Sequence, residues 1–176
     1  YLSYVGTDKL TNEKLNQLFY KLACSYSINV SDDAIDISLS GLDSNMPEAV
    51  KLLENVLQGA KADKDSYNQY VSILLKARVD EKTNQRANFM ALRNLGEYGT
   101  YNAQLNIMSE QQLRSAAPQA LLNKLKDLNN YKATVMYFGP TDMKTVDGII
   151  SSTHLTPNKF EAAPAEKPYL HQATND

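Results

Sequence analysis

The sequence predicts an α+β domain in which an antiparallel or mixed sheet carries its helices on one face. Three observations point there. A helical apolar stripe is followed at once by two segments that alternate polar and apolar residues, and then by a second stripe, which is most of a ferredoxin-like β-α-β-β-α order. A long helical stretch interrupts that order. A continuous apolar run, ATVMYF, then returns as the expected closing strand.

Tyr1 to Val5 reads as the first strand, ended by Gly6. Thr11 can cap a helix whose apolar residues Leu15, Leu18, Phe19, Leu22 and Ala23 recur at helical spacing, so one face of it is buried. Tyr26, Ile28 and Val30 then alternate with Ser25, Ser27, Asn29 and Ser31. Ile35, Ile37 and Leu39 alternate with Asp36, Ser38 and Ser40 across a turn at Asp32-Asp33, giving a hairpin with one apolar and one polar face. Ser44 or Asn45 can cap the second helix, which has Pro47 in its first turn, Ala49, Val50, Leu53, Val56 and Leu57 on its stripe, and Gly59 at its end.

The insertion begins where Asp63 opens a helix with Tyr67, Tyr70, Val71, Leu74, Leu75 and Arg78 along one side. A further helix carries Phe89, Met90, Leu92, Leu95 and Tyr98 and stops at Gly99. Ser109 and Gln112 form a capping-box pair. Pro118 is read as the start of another short helix, carrying Leu121, Leu122, Leu125 and Leu128, because its ring would clash inside one. Ala133 to Phe138, bounded by Asn129-Asn130 and Gly139-Pro140, suits a strand covered on both faces. Thr141 is expected to cap a last helix through Val146, Ile149 and Ile150. Pro157, Pro164 and Pro168, with Ala162, Ala163 and Ala165, then break any regular pattern. The expected organisation is one α+β domain over residues 1–155 and a Pro/Ala-rich linker or tail over 156–176.

With 176 residues, 43% of them hydrophobic, the chain is long enough for one core. A net charge of −2 offers no basic face for a phosphate backbone, so nucleic acid is not an expected partner. Cys24 is the only cysteine, which excludes an intrachain disulfide; it ends a buried helix face and reads as packing. No stretch approaches the roughly 20 apolar residues of a membrane span, and no signal peptide is recognised. The chain begins with Tyr, which reads as a piece of something longer.

Several features are better explained by packing or solvation than by chemistry. Tyr67, Tyr70 and Tyr98 lie on apolar helix faces. A hairpin turn accounts for Asp32 and Asp33, and Asp36 sits on a strand beyond it. Arg86 and Arg93 share a helix face, and Glu110 and Glu161 have no histidine at ligand spacing. No phosphate-loop lysine, G-x-S-x-G or Cys-His arrangement is present.

The run GTDKLTNEKLNQLFYKLACSYSINVSDD, then LSGLDSNMPEAVKLLENVL and finally VMYFGP, resembles the repeated domain of the insulinase/pitrilysin (M16) zinc metallopeptidases, with a LuxS/M16-like fold, across residues 1–155. The resemblance implies a set of homologous α+β domains around a closed chamber, with zinc held by an inverted H-x-x-E-H and a downstream glutamate. That motif is missing here. His154 is followed by Leu-Thr-Pro-Asn and His171 by Gln-Ala-Thr-Asn, and no counterpart is found for the arginine and tyrosine the family places near its substrate.

What the resemblance implies is therefore a non-catalytic, substrate-enclosing structural domain of a zinc-dependent metalloendopeptidase acting on peptides, inactive alone. No catalytic residue, metal ligand or cofactor is expected in this chain, and zinc is expected in a separate catalytic domain of the parent. The partners implied are the other domains of the same polypeptide and, through them, a peptide substrate. The alternative is a domain of a catalytically inactive homologue used as a binding or assembly subunit. A periplasmic or cell-envelope location is the one favoured. Ser27, Asn29, Asp36 and Ser38 share the polar face of the hairpin. In the family this face lines the chamber, so the resemblance implies that these four contact or solvate the peptide; an ordinary exposed sheet face is the other reading.

Overall fold

The computed structural model describes residues 1–31, 34–154, 156–165 and 167–173. Among them are helices α1 (Asn12–Lys21), α2 (Met46–Gly59), α3 (Lys64–Glu81), α4 (Gln85–Tyr98), α5 (Glu110–Ser115), α6 (Pro118–Asp127) and α7 (Met143–Thr153), and an antiparallel pair, β1 (Cys24–Val30) and β2 (Ile35–Gly41). The mixed helix-and-sheet class is the expected one. The chain divides into two compact units, one formed by Tyr1–Asp63 with Pro118–Pro164, the other by Lys64–Ala117 with Ala165–Asp176.

In the first unit, α1 starts because the Thr11 hydroxyl accepts from the Lys14 N–H at 3.3 Å. It stops at Ala23, whose φ of 49° puts a residue with a Cβ in the left-handed region and turns the chain straight into β1. Leu15 and Phe19 of α1 meet Leu52, Leu53, Val56 and Leu57 of α2, Leu122 of α6, and Leu2 and Val5 from the start of the chain in one buried cluster. Tyr26, Ile28 and Leu39 pack on that cluster from the hairpin, and the Phe19 and Tyr26 rings lie 4.9 Å apart at a 44° tilt. Covering fails toward the hairpin tip: Val30 is 74% exposed and Ile35 45%. The expected Asp32-Asp33 turn lies outside the described residues; flanking it, the Ser31 N–H donates to the Ala34 carbonyl at 2.9 Å.

Four local expectations are corrected. Tyr1 to Val5 is not a strand: Leu2–Tyr4 is a 3-10 turn, closed by Tyr4 and Val5 N–H bonds to the Tyr1 and Leu2 carbonyls. Leu2 and Val5, three apart, bury one side of that turn, and the nearby pairing is a lone bridge between Thr7 and Ala60. Ala133 to Phe138 runs without a strand partner among the described residues, because β1 and β2 pair only with each other. Asp142, and not Thr141, caps α7, accepting from the Thr145 N–H at 3.1 Å; the Thr141 hydroxyl is already held by the Asp43 carboxylate. Asn45 takes the N-cap position of α2, but its side chain donates to the Leu22 carbonyl at 2.9 Å and so closes the end of α1 instead.

In the second unit the capping box at Ser109 and Gln112 forms in both directions, at 3.2 and 2.8 Å. Tyr67 and Val71 of α3 are buried; the Tyr67 hydroxyl donates to the Leu113 carbonyl at 2.7 Å, and burial pushes its phenol above the ordinary range, with Tyr70 adding to the shift. Gly99 ends α4 at a φ of +71°, where a side chain would be strained. Behind it Asn102 is fully buried, its amide donating to the Gly99 carbonyl at 2.6 Å and its oxygen accepting from the Gln104 and Leu105 N–H groups. The Pro/Ala-rich stretch forms no helix or strand among the described residues, yet part of it is fastened down: Tyr169 stacks on Tyr101 at 5.0 Å, His171 on Tyr98 at 4.6 Å, and the Gln172 N–H donates to the Glu97 carbonyl at 2.7 Å.

Substituting Phe19→Ala should cost about 3–5 kcal/mol, against less than about 0.5 kcal/mol for Tyr20→Ala, because Phe19 is 5% exposed and Tyr20 86%. Urea unfolding followed by far-UV circular dichroism measures both. Tyr67→Phe should cost about 1–2 kcal/mol in the same measurement, since it strands a buried carbonyl.

Candidate functional site

Alternation and register assemble the polar hairpin face. Ser27 stands directly opposite Ser38, and Asn29 opposite Asp36. All four are exposed, on the side away from Tyr26, Ile28 and Leu39. The structure therefore brings together every residue the sequence nominated, as two adjacent cross-strand pairs, a pairing that sets opposite Cβ atoms about 5 Å apart. Two hydroxyls, an amide and a carboxylate offer both donors and acceptors to a polar ligand such as a peptide.

A second cluster went unseen in the sequence. Asp43, in a 3-10 turn just before α2, accepts through Oδ1 from the Tyr137 hydroxyl and through Oδ2 from the Thr141 hydroxyl at 2.7 Å; the Thr141 N–H in turn donates to the Tyr137 oxygen at 3.0 Å. The Tyr137 hydrogen bond, then the Thr141 one, hold the Asp43 carboxyl below the ordinary carboxylate range, against a smaller effect of burial. A Cβ at Gly139 would run into the Tyr137 phenol, so the glycine leaves room for that hydroxyl to sit between Asp43 and Thr141. Asp43 and Tyr137 are 94 positions apart, and no local pattern links them. This cluster ties the Ala133 to Phe138 segment to the start of α2.

The two histidines lie in different settings. His154, at the end of α7, places Nδ1 2.8 Å from Glu54 Oε1 on α2. Glu54 Oε2 and, one turn on, Gln58 Nε2 are buried with no hydrogen-bond partner among the described residues. His171 packs its ring on Tyr98 in the second unit. Among the described residues no three His, Cys, Asp or Glu side chains converge, so the donors present do not fit a zinc ion, which needs at least three protein ligands. Cys24 is half-buried, its thiol donating to the Phe19 carbonyl at 3.6 Å and pushed up by burial, a setting for packing. Arg93 pairs with Glu97, and Glu110 with Arg114, as exposed helical neighbours.

No protein-family model and no curated protein matches the sequence. Solved structures do. The periplasmic protease PqqL from Escherichia coli superposes with a TM-score of 0.71 over 99% of this chain at 13% identity. The ferredoxin protease FusC, as a mutant in complex with Arabidopsis ferredoxin, superposes with a TM-score of 0.72 over 97% at 14% identity. The fold is M16-like. This chain spans 19% of the length of each of those proteases. No helix among the described residues is long and apolar enough to cross a membrane.

The Asp43 cluster sets a pH dependence. A carboxyl whose folded-state pKa is depressed contributes stability that is complete above its unfolded value, about 4, and is lost as pH falls through the lower folded value. Between roughly pH 6 and pH 3 the urea midpoint of the wild type should therefore fall further than that of Asp43→Asn, which has no such group to protonate.

Proposed function

We propose that this chain is a substrate-enclosing structural domain of a zinc-dependent metalloendopeptidase acting on peptides, without a zinc site of its own. The observation that supports this best is the match of nearly the whole chain to a 19% section of two proteases. Of its two histidines, His154 pairs with Glu54 and His171 packs on Tyr98. The metal, the water it activates and the third ligand belong in this reading to a separate domain of the same polypeptide. The polar face of Ser27, Asn29, Asp36 and Ser38 then forms part of the chamber wall, where it solvates or hydrogen-bonds a peptide held elsewhere. PqqL is periplasmic, which supports a cell-envelope location.

The test is to express the longer polypeptide and the 176-residue chain separately and to measure cleavage of a quenched fluorescent peptide alongside bound zinc. Cleavage and zinc in the longer polypeptide, with neither in the chain alone, is the expected outcome. Zinc-dependent cleavage by the chain alone would sink the reading, and silence in both would favour an inactive homologue serving as a binding subunit. In the active polypeptide, Asp36→Lys should raise KM for basic peptides about threefold and leave kcat unchanged, because one exposed charge contributes about 0–1 kcal/mol of uniform binding.

A further inference from the structure

We propose that the end of α4 and the turn behind it form a binding site for an extended peptide of the pattern Tyr-x-His-Gln, a site that the chain's own Tyr169–Gln172 fills in this structure. The seat is built without help from its occupant. Asn102, 1% exposed, fixes the turn by donating to the Gly99 carbonyl at 2.6 Å and accepting from the Gln104 and Leu105 N–H groups. The turn follows directly on the last residues of α4, whose carbonyls have no partner inside the helix. Together they offer a main-chain acceptor at Glu97, ring faces at Tyr98 and Tyr101, and the Asn106 amide, all within the second unit.

The occupant meets this surface through main chain, rings and a side-chain amide. The Gln172 N–H donates to the Glu97 carbonyl at 2.7 Å. Tyr169 lies 5.0 Å from Tyr101 and its hydroxyl accepts from the Asn106 amide at 3.0 Å, while His171 lies 4.6 Å from Tyr98. Leu170 between them is 73% exposed, so alternate side chains turn inward, the pattern of an extended segment. Gly99 sets a condition on the next position, because a Cβ there would run into the Gln172 side chain, and only a bare backbone admits it. Pro168 fixes one backbone dihedral ahead of Tyr169, which lowers the entropy that docking must overcome.

A segment held in cis by such contacts obeys the same equilibrium as a peptide added in trans. The covalent connection presents it at an effective concentration on the order of millimolar, so its being docked puts the intrinsic Kd of the site for the same peptide below about 1 mM. A tail docked about four-fifths of the time leaves about one-fifth of the sites free, and an added peptide then binds about fivefold more weakly than it would to a chain whose tail cannot dock. Binding of this kind needs neither zinc nor cleavage, and so is independent of the peptidase reading.

The test titrates the synthetic peptide Lys-Pro-Tyr-Leu-His-Gln-Ala, the sequence of residues 167–173, into the wild-type chain and into a double variant, Tyr169→Ala with His171→Ala, following the Gly99 and Tyr101 amide resonances. Neither substituted residue belongs to the buried set, so the second unit keeps its core. The double variant should bind with a Kd below about 1 mM and the wild type at least about fivefold more weakly. Alanine in place of the peptide's tyrosine should weaken binding to the double variant at least about fivefold. No binding to the double variant overturns the proposal, and so does equal binding to both chains or of both peptides. Hydrogen exchange of the wild type gives a second measurement: excess peptide should release the tail and speed exchange of the Gln172 amide, and an unchanged rate overturns the proposal whatever the double variant does.

Discussion

Everything in the first unit depends on the contact between the apolar face of a two-stranded hairpin and the paired stripes of α1 and α2. An isolated hairpin is marginal in water, so β1 and β2 persist because Tyr26, Ile28 and Leu39 are pressed against Phe19 and the buried α2 residues. That contact chooses which side of the hairpin is wet. Since the side-chain period of a strand is two, burying Tyr26 and Ile28 forces Ser27 and Asn29 outward, and antiparallel pairing sets Ser38 and Asp36 opposite them. The polar face is thus a by-product of core packing before it is anything else.

Around that core, long-range polar contacts finish what propensity leaves open. The Asp43 carboxylate collects two hydroxyls from beyond Gly139 and just before it, and the Glu54 carboxylate meets His154 at the end of α7, so α2 is joined at two points to the last part of the unit. Carboxylate hydrogen bonds of this sort are stronger than neutral ones. They add placement to a region where apolar burial is thin, α7 contributing only Val146 to the buried set. The second unit follows a different principle. Its α4 buries no residue, with Phe89 and Leu92 more than 60% exposed, and its order comes from Tyr67, Val71 and Leu113 together with the Asn102 turn and the aromatic stacking of Tyr169 and His171.

The residues that define helices were legible wherever a local rule applied. Thr11, the Ser109 capping box, Pro118 and Gly99 act at the positions their chemistry predicts, because caps, ring clashes and positive φ are settled within one turn of chain. Thr141 failed by one residue because a carboxylate far away in sequence claimed its hydroxyl, leaving Asp142 to cap α7. Tyr1 to Val5 failed because a five-residue apolar segment fits a short turn as well as a strand, and the spacing of Leu2 and Val5 favours the turn.

By itself the sequence determined the helix–hairpin–helix order, the two faces of the hairpin and which residues share the polar one, since each follows from periodicity within a few residues. It also determined that no inverted zinc motif exists in these residues. Tertiary structure alone decided that Asp43 binds Tyr137 and Thr141, that His154 meets Glu54, that Lys167 to Gln172 folds back on its own unit, and that Ala133 to Phe138 stays unpaired among the described residues. The reason is common to all four. A hydrogen-bond partner or a strand neighbour distant in sequence leaves no periodic trace, and only the folded chain shows which groups have met.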